Sequence, residues 1–174
     1  EELATKWTTM VKQELNIVQE DKANELSEKH DFPQLSSEFV YREEVLKSRA
    51  RSLLNIGFKS ARVKANDLFR IKDNQVIIAY CSKEDYDKSH VKGAIHFPIR
   101  ESLKRDAQLN LLPTDKEIIV YSRHGFESAY AVAYLRMLGY DAKTVLYGMN
   151  CFNSPLEDSF GSSDTHSYPL IKQE

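Results

Sequence analysis

An unbroken apolar run, Ile118-Ile119-Val120-Tyr121, passes without a spacer into Ser122-Arg123-His124-Gly125-Phe126-Glu127-Ser128, after which the sequence turns helical. A run that is apolar at every position belongs to a strand buried on both faces, the usual pattern of a parallel sheet beneath covering helices. A second run of this kind, Val76-Ile77-Ile78-Ala79-Tyr80, lies upstream. Between them, Glu84 to Lys88 reads as a short polar helix or turn, and Gly93 to Pro98 as a short strand closed by its proline. Leu112 to Lys116 reads as a polar turn, and Thr144-Val145-Leu146 as the last strand. The helix after Ser128 carries Tyr130, Ala131, Tyr134, Leu135 and Leu138 at helical spacing and stops at Gly139. Tyr130 and Tyr134 read most simply as core. From Val63 onward, alternation of short apolar runs with helical segments predicts an α/β fold, a central parallel sheet flanked by helices.

The first part of the chain has a different texture. Leu3, Trp7, Met10, Val11, Leu15 and Val18 recur at helical spacing among polar residues and predict an amphipathic helix. After a polar stretch from Glu20 to His30 and Phe32-Pro33, Ser36-Ser37-Glu38 offers capping for a second helix reaching Leu54, with Gly57 as its stop. The expected division is an N-terminal helical extension over 1–58, a domain over 59–153 and a tail over 154–174. Amphipathicity alone leaves open whether the extension packs on its own domain, pairs with a second copy in a homodimer, or docks a partner.

With 24 basic and 26 acidic residues the formal charge is −2, so no general field attracts nucleic acid or an anionic membrane. No stretch approaches the roughly 18 consecutive apolar residues of a spanning helix, and no membrane span is expected. Cys81 and Cys151 are too few for a disulfide framework and wrongly spaced for zinc, and His30, His96 and His166 add no metal-ligand spacing. Neither a metal nor a cofactor is therefore expected. The start at Glu1 fits a trimmed chain or a mature one whose export signal has been removed.

A buried strand, a short loop and a helix place Ser122 to Ser128 at the carboxyl edge of the sheet, facing the helix's positive end. Gly125 lets the loop curl so that amides converge, and Arg123 and His124 add donors at its mouth, which makes an anion cradle. An ordinary strand-to-helix turn explains the same residues equally well, and His124 either contacts an anion or faces water.

The stretch from Val63 to Phe152 resembles the rhodanese-like sulfurtransferases. The resemblance rests on IIAYCSKEDYDKSHVKGAIHFP from Ile77 and LPTDKEIIVYSRHGFESAYAVAYLRMLGYDAKTVLYGMNCF from Leu112. His90-Val91, Gly93-Ala94-Ile95, the loop, Leu138-Gly139-Tyr140 and Gly148-Met149 follow the family's order and spacing. The resemblance implies transfer of sulfane sulfur from a small sulfur-containing anion or polysulfide to a thiol acceptor, through a persulfide on a loop cysteine. The likeness is greatest to small bacterial proteins that are often exported, so a periplasmic or exported setting is expected over a cytoplasmic one.

Ser122 stands at the position of the loop cysteine, and a hydroxyl lacks the low pKa and polarisable sulfur that the cycle needs. Ala79 replaces the family's aspartate, Cys81 the arginine that supports the loop, and Glu127 the arginine within the loop. The last exchange makes the cradle less cationic, weakens binding of a dianion and speaks against the phosphatase relatives of the fold. Two functions remain open: a sulfurtransferase lineage made inert by a Cys-to-Ser exchange at residue 122, engineered or natural, and a non-catalytic binding or regulatory module. Cys81, expected near the loop, is either an accessory thiol or an apolar filler of the space left by arginine. His90 reads as a hydrogen-bonded structural residue and Cys151 as packing.

Overall fold

The computed structural model describes residues 26–35, 41–64 and 74–151. The predicted helix over 3–18, the capping residues Ser36-Ser37-Glu38 and the tail beyond 151 lie outside the described residues. The described elements are, in order, α1 (Arg42–Ile56), β1 (Arg62–Val63), β2 (Gln75–Cys81), α2 (Lys83–Lys88), β3 (Ile95–Pro98), β4 (Glu117–Tyr121), α3 (Phe126–Leu138) and β5 (Ala142–Val145). The strands form one sheet in the order β1-β5-β4-β2-β3, with every pairing parallel. This is the α/β architecture that the alternation of apolar runs implied.

The two continuous runs are explained by the strand period of two. On β2 and β4, Ile77, Ala79, Cys81, Ile119 and Tyr121 enter one apolar cluster with Tyr86, Val91 and Ala94. The alternate residues, Val76, Ile78, Tyr80, Ile118 and Val120, enter the other, with Phe97, Leu112, Val132 and Leu135. Both faces of the sheet are thus covered, and each buried branched side chain contributes roughly 1.5–3 kcal/mol relative to exposure.

Several boundaries move. The strand expected from Gly93 begins at Ile95, after a turn in which Gly93 has a φ of 77°. The last strand is Ala142–Val145 and stops before Leu146. The helix expected from Ser36 is observed from Arg42 and runs past Leu54 to Ile56, where Gly57 ends it by donating its N–H to the carbonyl of Leu53 at 3.1 Å.

The expected apolar face of α3 is corrected more substantially. Its buried residues are Ser128, Ala131, Val132 and Leu135, whereas Tyr130 and Tyr134 are 80% and 45% exposed. Small residues on the inner face let the helix approach the sheet closely, and the tyrosines are turned outward.

α1 lies on the same chain and buries no residue. Arg49 ties it to the end of α3, donating to the carbonyl of Arg136 at 2.5 Å and to that of Met137 at 3.4 Å. Both carbonyls belong to the last turn of α3, where a guanidinium suits the negative end of the helix dipole. Among the described residues no helix is long and apolar enough to cross a membrane.

Ile119, 2% exposed, occupies the middle of β4 between β2 and β5. Ile119→Ala is expected to lower stability by about 2–5 kcal/mol, because the cavity it leaves cannot collapse in a sheet covered on both faces. A urea titration showing a loss well under 1 kcal/mol would contradict this placement.

Candidate functional site

β4 is flanked by β5 and β2, so the loop that follows it opens at the middle of the carboxyl edge. Ser122 is the first residue after the strand and has no exposed surface. Its Oγ accepts the N–H of Gly125 at 3.1 Å and that of Ser128 at 3.2 Å, and donates to the Ser128 hydroxyl at 3.2 Å. The amides converge as the loop's sequence suggested, but on the hydroxyl of Ser122 itself. Two of the loop's amides, those of Gly125 and Ser128, are thus taken up from within.

The hydrogen bonding continues inward. Ser128 Oγ donates to the Gly125 carbonyl at 3.1 Å, which assigns to Thr144 the donor role in the 2.8 Å contact between the Thr144 and Ser128 hydroxyls. Each hydroxyl then gives its one proton, Thr144 and Ser122 to Ser128 and Ser128 to the Gly125 carbonyl, and none of the three is left without a partner. Thr144 on β5 is a part of the site that sequence reading missed, and only its position in a strand following α3 could have signalled it.

Two glycines shape the loop. Gly125 caps α3 in the left-handed region with a φ of 89°. Gly148, with a φ of 57°, packs directly on the loop, and a Cβ there would lie 2.1 Å from the Ser122 carbonyl oxygen and 2.6 Å from the Gly125 nitrogen. The next residue, Met149, donates its N–H to the same Ser122 carbonyl at 2.9 Å. The Gly148-Met149 turn is therefore a clamp on the back of the loop.

The remaining loop residues face outward to differing degrees. Arg123 lies 3.7 Å from Asp85, with both side chains about one third exposed, so the pair is weak and solvent-screened. Asp85 sits in the first turn of α2, where its N–H is accepted by the capping hydroxyl of Ser82 at 3.1 Å. This pairing was not foreseen, although both residues follow strands that end at one sheet edge. His124 and Glu127 are half-buried, and Phe126 is 61% exposed. Phe126, Glu127 and Ser128 belong to the first turn of α3 rather than to the loop proper.

Cys81 ends β2 at the same edge, opposite Pro98 of β3, and its side chain belongs to the apolar cluster beneath α2. Burial first, and then the nearby carboxylates of Asp85 and Asp87, push its thiol up to about 12. A thiol so placed is a poor nucleophile near neutral pH, which supports its reading as a filler of the core. His90 is 2% exposed, stacked on Tyr86 with ring centroids 3.9 Å apart, and its Nδ1–H donates to the Tyr86 carbonyl at 2.9 Å. His96 Nε2 donates to the Cys81 carbonyl at 3.0 Å, and His30 uses its backbone N–H on Asn110. His90 and His96 knit the connection after β2 to the sheet, and His30 ties the segment before α1 to the connection between β3 and β4. Cys151 closes a short 3₁₀ turn, and His166 lies outside the described residues.

Comparison with known proteins adds an independent finding. The family described as the rhodanese-like domain matches residues 62–153. No curated protein matches the chain. Among solved structures, reduced CoADR-RHD from Bacillus anthracis is 27% identical with a TM-score of 0.51, over 59% of this chain and 18% of that one. A rhodanese-related protein from Thermoplasma volcanium is 24% identical with a TM-score of 0.48, over 52% of this chain and 88% of that one. An NAD-dependent persulfide reductase from A. fulgidus is 32% identical with a TM-score of 0.41, over 49% of this chain and 15% of that one.

Gly148→Ala is expected to cost at least about 2 kcal/mol, since both the positive φ and the contact with backbone atoms forbid a Cβ. Unchanged stability in chemical denaturation would show that the turn does not clamp the loop. For Cys81, the folded thiol titrates above its ordinary value of 9.0, so its contribution to stability is complete below pH 9 and is lost as pH rises toward 12. Iodoacetamide at pH 8 should label Cys81 in the native protein at least about 100-fold more slowly than in urea, as read by peptide mapping. Equal labelling rates would place the thiol at the surface.

Proposed function

Because the chain belongs to the rhodanese-like family, we propose that its loop is a sulfane-sulfur transfer site held in shape but silenced by serine at position 122. One observation carries this reading. Two backbone N–H groups, those of Gly125 and Ser128, point at a single side-chain atom on residue 122, which is the arrangement that would stabilise a thiolate there. A serine hydroxyl gains far less, because its pKa lies too high for the same donors to ionise it. Among the described residues no histidine or carboxylate hydrogen-bonds Ser122 Oγ, so none of them is in place to activate it as a base.

With cysteine in this position, the thiolate would attack the outer sulfur of a donor such as thiosulfate. A new S–S bond would form, the S–S bond of the donor would break, and sulfite would leave with the electron pair. A thiophilic acceptor would then take the outer persulfide sulfur and return the thiolate. In this reading Arg123, His124 and the outer amides of the loop would meet the donor. Glu127 in the first turn of α3 opposes a dianion such as thiosulfate, which directs the reading toward donors of lower charge.

The second reading, a non-catalytic binding or regulatory module, is favoured by the complete burial of Ser122 and by the outward aromatic stripe on α3. The deciding experiment is a thiosulfate and cyanide assay on the chain and on Ser122→Cys, with intact mass after incubation with thiosulfate. The expected outcome is background turnover for the chain, and for the variant at least about 100-fold more, with gain of one sulfur atom. Silence and unchanged mass in a folded Ser122→Cys protein would leave the binding module as the function.

A further inference from the structure

The outward side chains of α3 form one wall of a cleft of about 450 Å³. Phe126, Tyr130 and Tyr134 follow one another at intervals of one helical turn and are 61%, 80% and 45% exposed. Tyr80 and Ile99 line the cleft from the ends of β2 and β3. Two charged residues of opposite sign, Glu127 and Arg100, complete the lining. The cleft thus begins at the first turn of α3, beside the loop, and runs along the helix away from it.

The charged pair is specific in its placement. Glu127 Oε2 is shielded from solvent and has no hydrogen-bond partner among the described residues. With no donor on this oxygen, the charge of Glu127 is left uncompensated by the described residues at the edge of the cleft. Arg100 is exposed and sits in the left-handed region with a φ of 69°, in a turn fixed by its own N–H donating to Tyr80 Oη at 2.9 Å. An isolated cation would meet repulsion from Arg100, and an isolated anion repulsion from Glu127. A molecule carrying both charges on an apolar body meets neither.

We propose that this cleft binds a small zwitterion with an apolar body, an amino acid in its free form being the simplest example. Its ammonium group lies against Glu127 and the tyrosine faces, where a cation is favoured by the ring quadrupole. Its carboxylate pairs with Arg100, whose guanidinium suits a two-pronged contact. Its side chain fills the space between the aromatic stripe and Ile99. The volume falls within the range of small-molecule sites, roughly 300–1,000 Å³. This inference goes beyond sulfur transfer and is independent of it, because binding is measured on the chain with Ser122 in place.

The test is a titration of the ¹⁵N-labelled protein with L-phenylalanine, N-acetyl-L-phenylalanine and L-phenylalaninamide, followed by amide chemical shifts. L-phenylalanine should give saturable shifts confined to residues 99–103 and 126–134, with Kd on the order of 1 mM. Each blocked derivative should bind about tenfold more weakly, as should L-phenylalanine to Glu127→Gln. Glu127→Gln should bind the N-acetyl derivative more tightly than the parent does, since the repulsion that an isolated anion meets is removed with the carboxylate. Should Glu127→Gln fail to fold, Tyr130→Ala, at a side chain 80% exposed, provides the second variant with the same expected loss. Shifts that do not saturate, shifts outside these segments, or equal binding of L-phenylalanine and its blocked forms would overturn the proposal.

Discussion

The convergence of the Gly125 and Ser128 amides on Ser122 Oγ is the interaction around which the carboxyl edge of the sheet is arranged. Three separate constraints hold it. Gly125 takes up the left-handed conformation that begins α3, Gly148 presses its Cα against the loop where a side chain would collide, and Met149 fixes the Ser122 carbonyl from behind. None of these is strong alone, yet together they leave the loop one conformation. That is the condition for a preorganised electrostatic site, because donors already in place need no rearrangement when charge develops.

The donors are satisfied by a neutral hydroxyl, and the Ser128 and Thr144 hydroxyls extend the satisfied chain into the core. The charges around the loop have shifted as well, with Arg123 partly engaged by Asp85 and Glu127 placed in the first turn of α3. This rhodanese-like domain has an enclosed loop and, on the outer face of α3, an exposed aromatic stripe. Serine and cysteine are close in size, and either side chain at position 122 could accept the same amide hydrogens.

The strands were legible because burial on both sheet faces leaves no polar residue in the run, as in Ile118 to Val120 and Val76 to Tyr80. The helix after the loop was legible in extent but not in orientation. Tyrosine is large and apolar enough to suggest core, whereas the inner face of α3 is made of Ser128, Ala131, Val132 and Leu135. Close packing on a sheet selects small and branched residues there, and the sequence offered two candidate faces of similar apolar content. The order of residues around the loop was legible too. Its closure was not, because that depends on a turn at Gly148 contributed from beyond the next strand.

By itself the sequence determined which segments are strands, where glycine ends a helix, and that residue 122 offers oxygen rather than sulfur. These are local properties, set by side-chain chemistry and by the periods of two and of about 3.6 residues. Tertiary structure alone decided that the Ser122 hydroxyl is enclosed, that the Cys81 thiol is held protonated in the core, and that Glu127 and Arg100 share one aromatic cleft. Each of those outcomes depends on chain segments distant in sequence meeting at one edge of the sheet. Local patterns fix which face of an element is apolar, and only the packed arrangement fixes which atoms meet.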